Sequence, residues 1–173
     1  MTKFLTGSNL YIATAVVWLF RSLLELLFEP QYWSPRVATD YLAIFSFSLA
    51  LVLLAYSFRQ LYSQHPREYG WADRIWGWSS LAVLGFSWIE ALANLGEDWL
   101  SIAALQDFFI WGGLLAFFAY IVYIAAMAFH SAMSKKWLIV FLVMVASFTF
   151  PDQGGGILTG LCAASLVYYQ PKE

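Results

Sequence analysis

The segment YLAIFSFSLALVLLAYSFRQLY, residues 41–62, decides the fold of this chain, because it contains no charged side chain before Arg59. A helix rises 1.5 Å per residue, so about 20 apolar residues cross the roughly 30 Å hydrocarbon core of a bilayer. An uninterrupted apolar run of this length is typical of a membrane helix and not of a helix on the surface of a soluble domain. The segment therefore predicts a transmembrane helix.

The rest of the chain repeats this pattern. Of the 173 residues, 61% are hydrophobic and 12% are charged, whereas a soluble domain is about half apolar and about a quarter charged. The sequence predicts one all-α polytopic membrane domain over residues 1–173, a bundle of six transmembrane helices arranged as three out-and-back hairpins. The last two runs are short, but Pro151 and the glycines after it separate them. The predicted spans cover residues 10–28, 41–62, 75–95, 108–130, 137–150 and 154–169.

The basic residues predict the orientation of the bundle. With six spans, both termini lie on the same side as the second and fourth loops, and that side carries seven of the nine Lys and Arg residues. Because cytoplasmic loops are enriched in Lys and Arg, we expect a multi-pass integral membrane protein with both termini on the cytoplasmic side. The seven are Lys3, Arg59, Arg67, Arg74, Lys135, Lys136 and Lys172; Arg36 lies opposite and Arg21 lies inside a span.

Acidic residues are concentrated at the predicted outer edge. Asp40, Glu97, Asp98 and Asp107 form a predicted outer acidic rim, which would raise the local concentration of cations. Asp40 and Asp107 have a second explanation as helix caps, because an Asp carboxylate accepts hydrogen bonds from the free N–H groups of a first helical turn. The sequence leaves both explanations open.

The three predicted out-and-back hairpins resemble one another. SLLELLFEPQYW begins at Ser22 and SWIEALANLGEDW begins at Ser87, and each runs from Ser to a Glu three residues later and on to a Trp. Parallel repeats occur in membrane proteins, so duplication of a two-helix unit is one explanation. Apolar helices match one another easily, and the sequence therefore supports only a weak two-helix repeat.

Ionisable residues inside the predicted spans define the candidate polar site. They are Arg21, Glu25 and Glu90, and the two glutamates lie at matched depth, roughly 8 to 9 Å outward of the midplane. Charged groups at such a depth are costly and normally face protein or a water-filled cavity, where they are paired. Arg21 and Glu25 share one face of the first helix, and Glu90 shares a face of the third helix with Asn94.

Two explanations fit these four residues. In the functional one, they line a polar pocket between the first and third helices that opens to the outside and exchanges a proton or binds a cationic or polar ligand. In the structural one, an Arg–Glu bridge fixes the helix register, while Glu90 is protonated or hydrogen-bonded. The candidate site is Arg21, Glu25, Glu90 and Asn94 in both cases.

Other motifs point to packing rather than chemistry. Gly156, Gly160 and Ala164 recur at four-residue spacing, which predicts a small-residue face for close helix packing. His65 and His130 lack a second ligand at metal-binding spacing, so we expect interfacial side chains and no metal site. The spans contain no Lys for a retinal Schiff base and no pair of His for bis-His haem, and the cofactor is otherwise unknown.

Three functions remain open from the sequence. The first is a non-enzymatic component or accessory subunit of a membrane assembly, with a membrane-protein partner or a homo-oligomer in the lipid bilayer. The second is a small ion- or proton-coupled transporter or channel that uses the Arg/Glu/Glu site. The third is a membrane-embedded enzyme or lipid-binding protein; the absence of P-loop, HExxH and CxxC motifs disfavours an enzyme. A net charge of −2 without basic clusters argues against nucleic acid as a partner.

Overall fold

The computed structural model describes residues 7–31, 35–65, 70–129, 135–148, 150 and 155–169. Within these ranges the chain is helical and contains no strand. A π-helical turn, Leu95–Trp99, extends the third helix, and a short 3-10 turn, Leu166–Tyr168, follows the sixth. The helices are α1 (Gly7–Phe28), α2 (Ala38–Gln64), α3 (Trp71–Asn94), α4 (Gln106–Ala128), α5 (Lys135–Phe148) and α6 (Gly155–Ser165).

Four of these helical segments are long and apolar enough to cross a membrane. They are Ser8–Phe28, Ala38–Gln64, Trp71–Trp99 and Ala103–Ala128. The 14 residues of α5 and the 11 residues of α6 reach only about 21 Å and about 16 Å at 1.5 Å per residue. The all-helical fold with four segments of spanning length is thus compatible with a membrane protein. The six-span arrangement and the side of the termini stay predictions.

Helix α2 is the most buried of the four segments of spanning length. It contacts α1 on one side and α3 on the other, α4 packs extensively on α3, and α6 lies between α1 and α5. The ring of Phe58 on α2 lies 4.8 Å from that of Tyr120, 4.9 Å from that of Tyr123 and 5.4 Å from that of Phe141. These edge-to-face contacts join α2, α4 and α5 in one aromatic core.

Small residues bring α6 close to α1, because a glycine leaves room for the neighbouring helix. A Cβ atom added at Gly160 would lie 2.9 Å from Cγ of Leu19, and one added at Gly156 would overlap Oγ of Ser22. Ala164, the third member of the predicted small-residue face, is half-buried. Both glycines therefore lie where α6 and α1 approach each other.

Candidate functional site

Arg21 and Glu25 form an ion pair on α1. Arg21 Nη2 donates to Glu25 Oε1 at 2.5 Å, and the two side chains are 2% and 11% exposed. The guanidinium also lies over the ring of Phe47 from α2, 4.6 Å from its centroid, which is a cation–π distance. Arg21 thus lies where α1 meets α2, with Gly156 of α6 beside it.

Glu90 lies in a different part of the bundle, against α4. Its side chain is 6% exposed and rests on two consecutive glycines, Gly112 and Gly113. A Cβ atom at Gly112 would lie 3.0 Å from the backbone nitrogen of Glu90, and one at Gly113 would lie 2.9 Å from its Oε1 atom. The carboxyl therefore crosses the surface of α4 at the place where that helix has no side chains.

The surroundings of Glu90 are buried and almost without charge. Ser87, one turn earlier on α3, and Tyr120 of α4 are fully buried, and the Tyr120 hydroxyl lies near Ser87 and Glu90. Among the residues that the structure describes, Oε2 of Glu90 has no hydrogen-bond partner. Burying a carboxylate charge without such a partner is costly, and neutralisation by a proton or a bound cation removes that cost.

Asn94 connects α3 with α2. Its Nδ2 atom donates to Ser48 Oγ at 2.8 Å and to the carbonyl oxygen of Ile44 at 3.3 Å. Although Asn94 lies one turn from Glu90, its amide is hydrogen-bonded to α2, whereas Glu90 packs against α4. The structure thus brings Arg21 and Glu25 together, and it places Glu90 at the α3–α4 contact and Asn94 at the α2–α3 contact.

The four residues of the predicted acidic rim lie in three settings. The Asp40 carboxylate is buried and accepts backbone N–H groups of Gln31 at 3.0 Å, Arg36 at 2.8 Å and Val37 at 3.1 Å, so it fixes the start of α2. Glu97 and Asp98 lie in the π-helical turn and line a cavity of about 470 Å³ that Arg36 also lines. Asp107 is exposed in the first turn of α4. Concentration of cations by the rim stays a prediction.

At the opposite end of the bundle, the structure reveals a buried histidine whose partners the sequence does not indicate. His65 Nδ1 donates to the carbonyl oxygen of Leu61 at 2.8 Å, and the Tyr169 hydroxyl is hydrogen-bonded to Nε2. Because the neutral imidazole carries its one proton on Nδ1, Nε2 is the acceptor and the Tyr169 hydroxyl donates to it. The ring of Trp76 packs 4.7 Å from that of His65.

This histidine contact holds the chain after α6 against the end of α2. The sequence signals available for it are weak, because residues 65 and 169 are 104 positions apart and only the aromatic character of Tyr169 marks it as a packing residue. His130, the other histidine, lies outside the described residues.

No known protein family, curated protein or solved structure matches this chain. In the described part of the chain, no group of three or more His, Cys, Asp or Glu side chains is placed to hold a metal ion.

Proposed function

We propose that the protein is a small ion- or proton-coupled membrane transporter or channel, with Glu90 as the group that binds the proton or small cation. The observation that carries this proposal is the carboxyl of Glu90, buried between two spanning-length helices with one oxygen atom that has no hydrogen-bond partner among the described residues. Ionisable groups in such positions are costly and are typical of ion and proton pathways.

The contact with Gly112 and Gly113 supports the proposal physically. Since α4 has no side chains at Gly112 and Gly113, the carboxyl rests directly on that helix, and a displacement of α4 would expose it. Binding of a proton or cation then favours the closed α3–α4 contact, and its release favours a separated one. Arg21 and Glu25 serve in this scheme as a structural pair on α1.

Proton or cation flux through purified protein in liposomes tests the proposal. With a pH-sensitive dye trapped inside the liposomes, we expect an imposed pH or potassium gradient to drive flux through the wild type and Glu90→Gln to abolish it. Glu29→Gln is the matched control, because it removes an exposed carboxyl that follows α1 and does not belong to the acidic rim. Equal flux in the wild type and the Glu90 variant would rule out Glu90 as the coupling group.

A second candidate function is that of a subunit of a membrane assembly, and the gap between α4 and α5 favours it. The cleft between these helices has a volume of about 620 Å³ and an almost purely apolar lining, which includes Phe117, Ile121 and Leu142. Such a cleft fits the side chains of one apolar transmembrane helix from a partner chain.

Photo-crosslinking in the native membrane tests this second function. A photoreactive residue at Ile121 should give one discrete product with a different protein, and the same residue at Val122, on another exposed face of α4, should not. A product of twice the mass of the chain would indicate a homo-oligomer, and lipid adducts alone would exclude a protein in the cleft.

A further inference from the structure

We propose that a groove between the end of α2 and the beginning of α3 binds the phosphate headgroup of an anionic phospholipid. The groove has a volume of about 310 Å³, and its lining combines two arginines, a tyrosine, a tryptophan and a leucine. Arg59 and Tyr62 belong to α2, and the remaining lining residues belong to α3. The complete lining is Arg59, Tyr62, Asp73, Arg74, Gly77, Trp78 and Leu81.

The charges of the groove favour an anion. Two guanidinium groups, Arg59 and Arg74, face one carboxyl group, Asp73, so the groove carries an excess of positive charge. Arg59 is held in position, because its Nη1 donates to Ser80 Oγ at 2.8 Å and its guanidinium carbon lies 5.3 Å from the centroid of the Tyr62 ring. Arginine N–H groups form strong charge-assisted hydrogen bonds with phosphate oxygens.

Gly77 makes room for a third donor. A Cβ atom at this position would lie 2.7 Å from the Tyr62 hydroxyl oxygen, so the hydroxyl reaches the groove only because residue 77 has no side chain. The Tyr62 ring is fixed from behind by Trp76, whose ring centroid is 5.2 Å away. A hydroxyl and two guanidinium groups thus line one small volume.

The order of side chains along α3 matches the order of chemical groups in a phospholipid. Arg74, Trp78 and Leu81 are four and three residues apart and therefore lie on one face of the helix. All three are exposed, at the helix surface that faces away from the bundle. Over about 10 Å, the face changes from a charged to an aromatic and then to an aliphatic side chain. Headgroup phosphate, glycerol region and acyl chain follow one another in this order with depth.

The lipid, rather than a soluble phosphate ester, is therefore the expected ligand. Trp78 is 73% exposed and Leu81 is 44% exposed, and acyl chains would cover both of these apolar surfaces. Basic pockets between spanning helices are a known mode of anionic lipid binding. This groove lies at the other end of α3 from Glu90, so the inference stands independently of the proposed ion site.

Native mass spectrometry of the full-length protein in a neutral detergent tests the inference. Phosphatidylglycerol, phosphatidylcholine with the same acyl chains, and glycerol 3-phosphate are added separately, and the bound fraction is measured. We expect phosphatidylglycerol to be retained at least about tenfold more tightly than the other two, since only it combines net negative charge with acyl chains. Equal retention of both lipids, or tight binding of glycerol 3-phosphate alone, would overturn the assignment to an anionic lipid.

Three variants locate the lipid. Arg74→Gln should lower the affinity for phosphatidylglycerol about tenfold, as expected for loss of one charge-assisted contact. Arg74 is exposed, so this variant keeps the fold. Arg59→Gln should lower the affinity by a similar factor, and Arg36→Gln, which removes an exposed arginine at the other end of α2, should leave it unchanged. Wild-type affinity in both the Arg59 and Arg74 variants would overturn the proposed position.

Discussion

Glu25 and Glu90 are glutamates in two apolar helices, α1 and α3, but their side chains make different contacts. Glu25 accepts a hydrogen bond from Arg21 at 2.5 Å, and Arg21 in turn packs against aromatic rings. Glu90 lies on two glycines with no cation in contact, and its Oε2 atom has no hydrogen-bond partner among the described residues. The positive charge of Arg21 compensates the Glu25 carboxyl, whereas the Glu90 carboxyl is buried without such a partner among the described residues.

This difference separates a structural acid from a candidate functional one. The Arg21–Glu25 ion pair holds both of its side chains in place, so removal of either charge mainly changes the stability of the fold. A buried carboxyl without a counter-ion contributes little to the free energy of unfolding, so a gain in stability does not explain the presence of Glu90. We therefore expect substitution of Glu25 to lower the free energy of unfolding and substitution of Glu90 not to lower it.

The largest effect is expected for Arg21→Met. It leaves Glu25 without its cation at a position that is 11% exposed, and breaking such a pair from one side costs about 3–5 kcal/mol of unfolding free energy. Reversible unfolding in mixed detergent micelles, followed by circular dichroism, measures the loss.

The double variant Arg21→Met with Glu25→Met is the control for this prediction. It removes both charges, so part of the lost stability should return. Additive losses in the double variant would contradict coupling between the two side chains.

The next largest effect comes from the matched pair Glu25→Met and Glu90→Met. Glu25→Met should lower the unfolding free energy by about 1.5–3 kcal/mol, because a charge-assisted hydrogen bond is lost while Arg21 keeps its ring contacts. Glu90→Met should leave stability unchanged or raise it, because an apolar side chain of similar length replaces a buried polar group. The same unfolding assay applies to both, and a large loss in the Glu90 variant would show that Glu90 has a structural role after all.

The two glycines below Glu90 give a smaller and graded effect. A methyl group at Gly112 meets the backbone of α3, so Gly112→Ala should cost about 1–3 kcal/mol. At Gly113 the nearest atoms belong to the flexible end of the Glu90 side chain, and Gly113→Ala should cost less. Thermal denaturation in detergent ranks the two variants, and the reverse order would contradict the position of the carboxyl across Gly113.

The sequence predicts the positions of the helices well and the contacts between them poorly. The run at 41–62 lies within α2, Ala38–Gln64, and the run at 75–95 overlaps α3, Trp71–Asn94, because apolar length alone marks such segments. Both helices begin before their apolar runs, because charged residues are tolerated in the terminal turns of a helix. Asp40 in the first turn of α2 is an example. The Arg21–Glu25 contact follows from four-residue spacing within one helix.

Which helix faces Glu90 could not be derived in the same way. Helix α4 is apolar on all sides, so no hydrophobic stripe marks the face that α3 contacts. The consecutive glycines at 112 and 113 were the available signal, since small residues permit close approach, but they do not identify the partner helix. Contacts between distant segments, such as that of His65 with Tyr169, depend on tertiary packing that no local pattern encodes.

The smallest effect concerns Asn94, which lies one turn from Glu90 and shares its helix. A double-mutant cycle of Asn94→Ala with Ser48→Ala should give a coupling of about 0.6 kcal/mol, typical of hydrogen bonds between membrane helices. The corresponding cycle of Asn94→Ala with Glu90→Met should give a coupling near zero, because the Asn94 amide bonds to α2 while Glu90 packs on α4. A substantial coupling in the second cycle would mean that Asn94 and Glu90 act as one polar site, and Glu90 would then resemble the compensated Glu25.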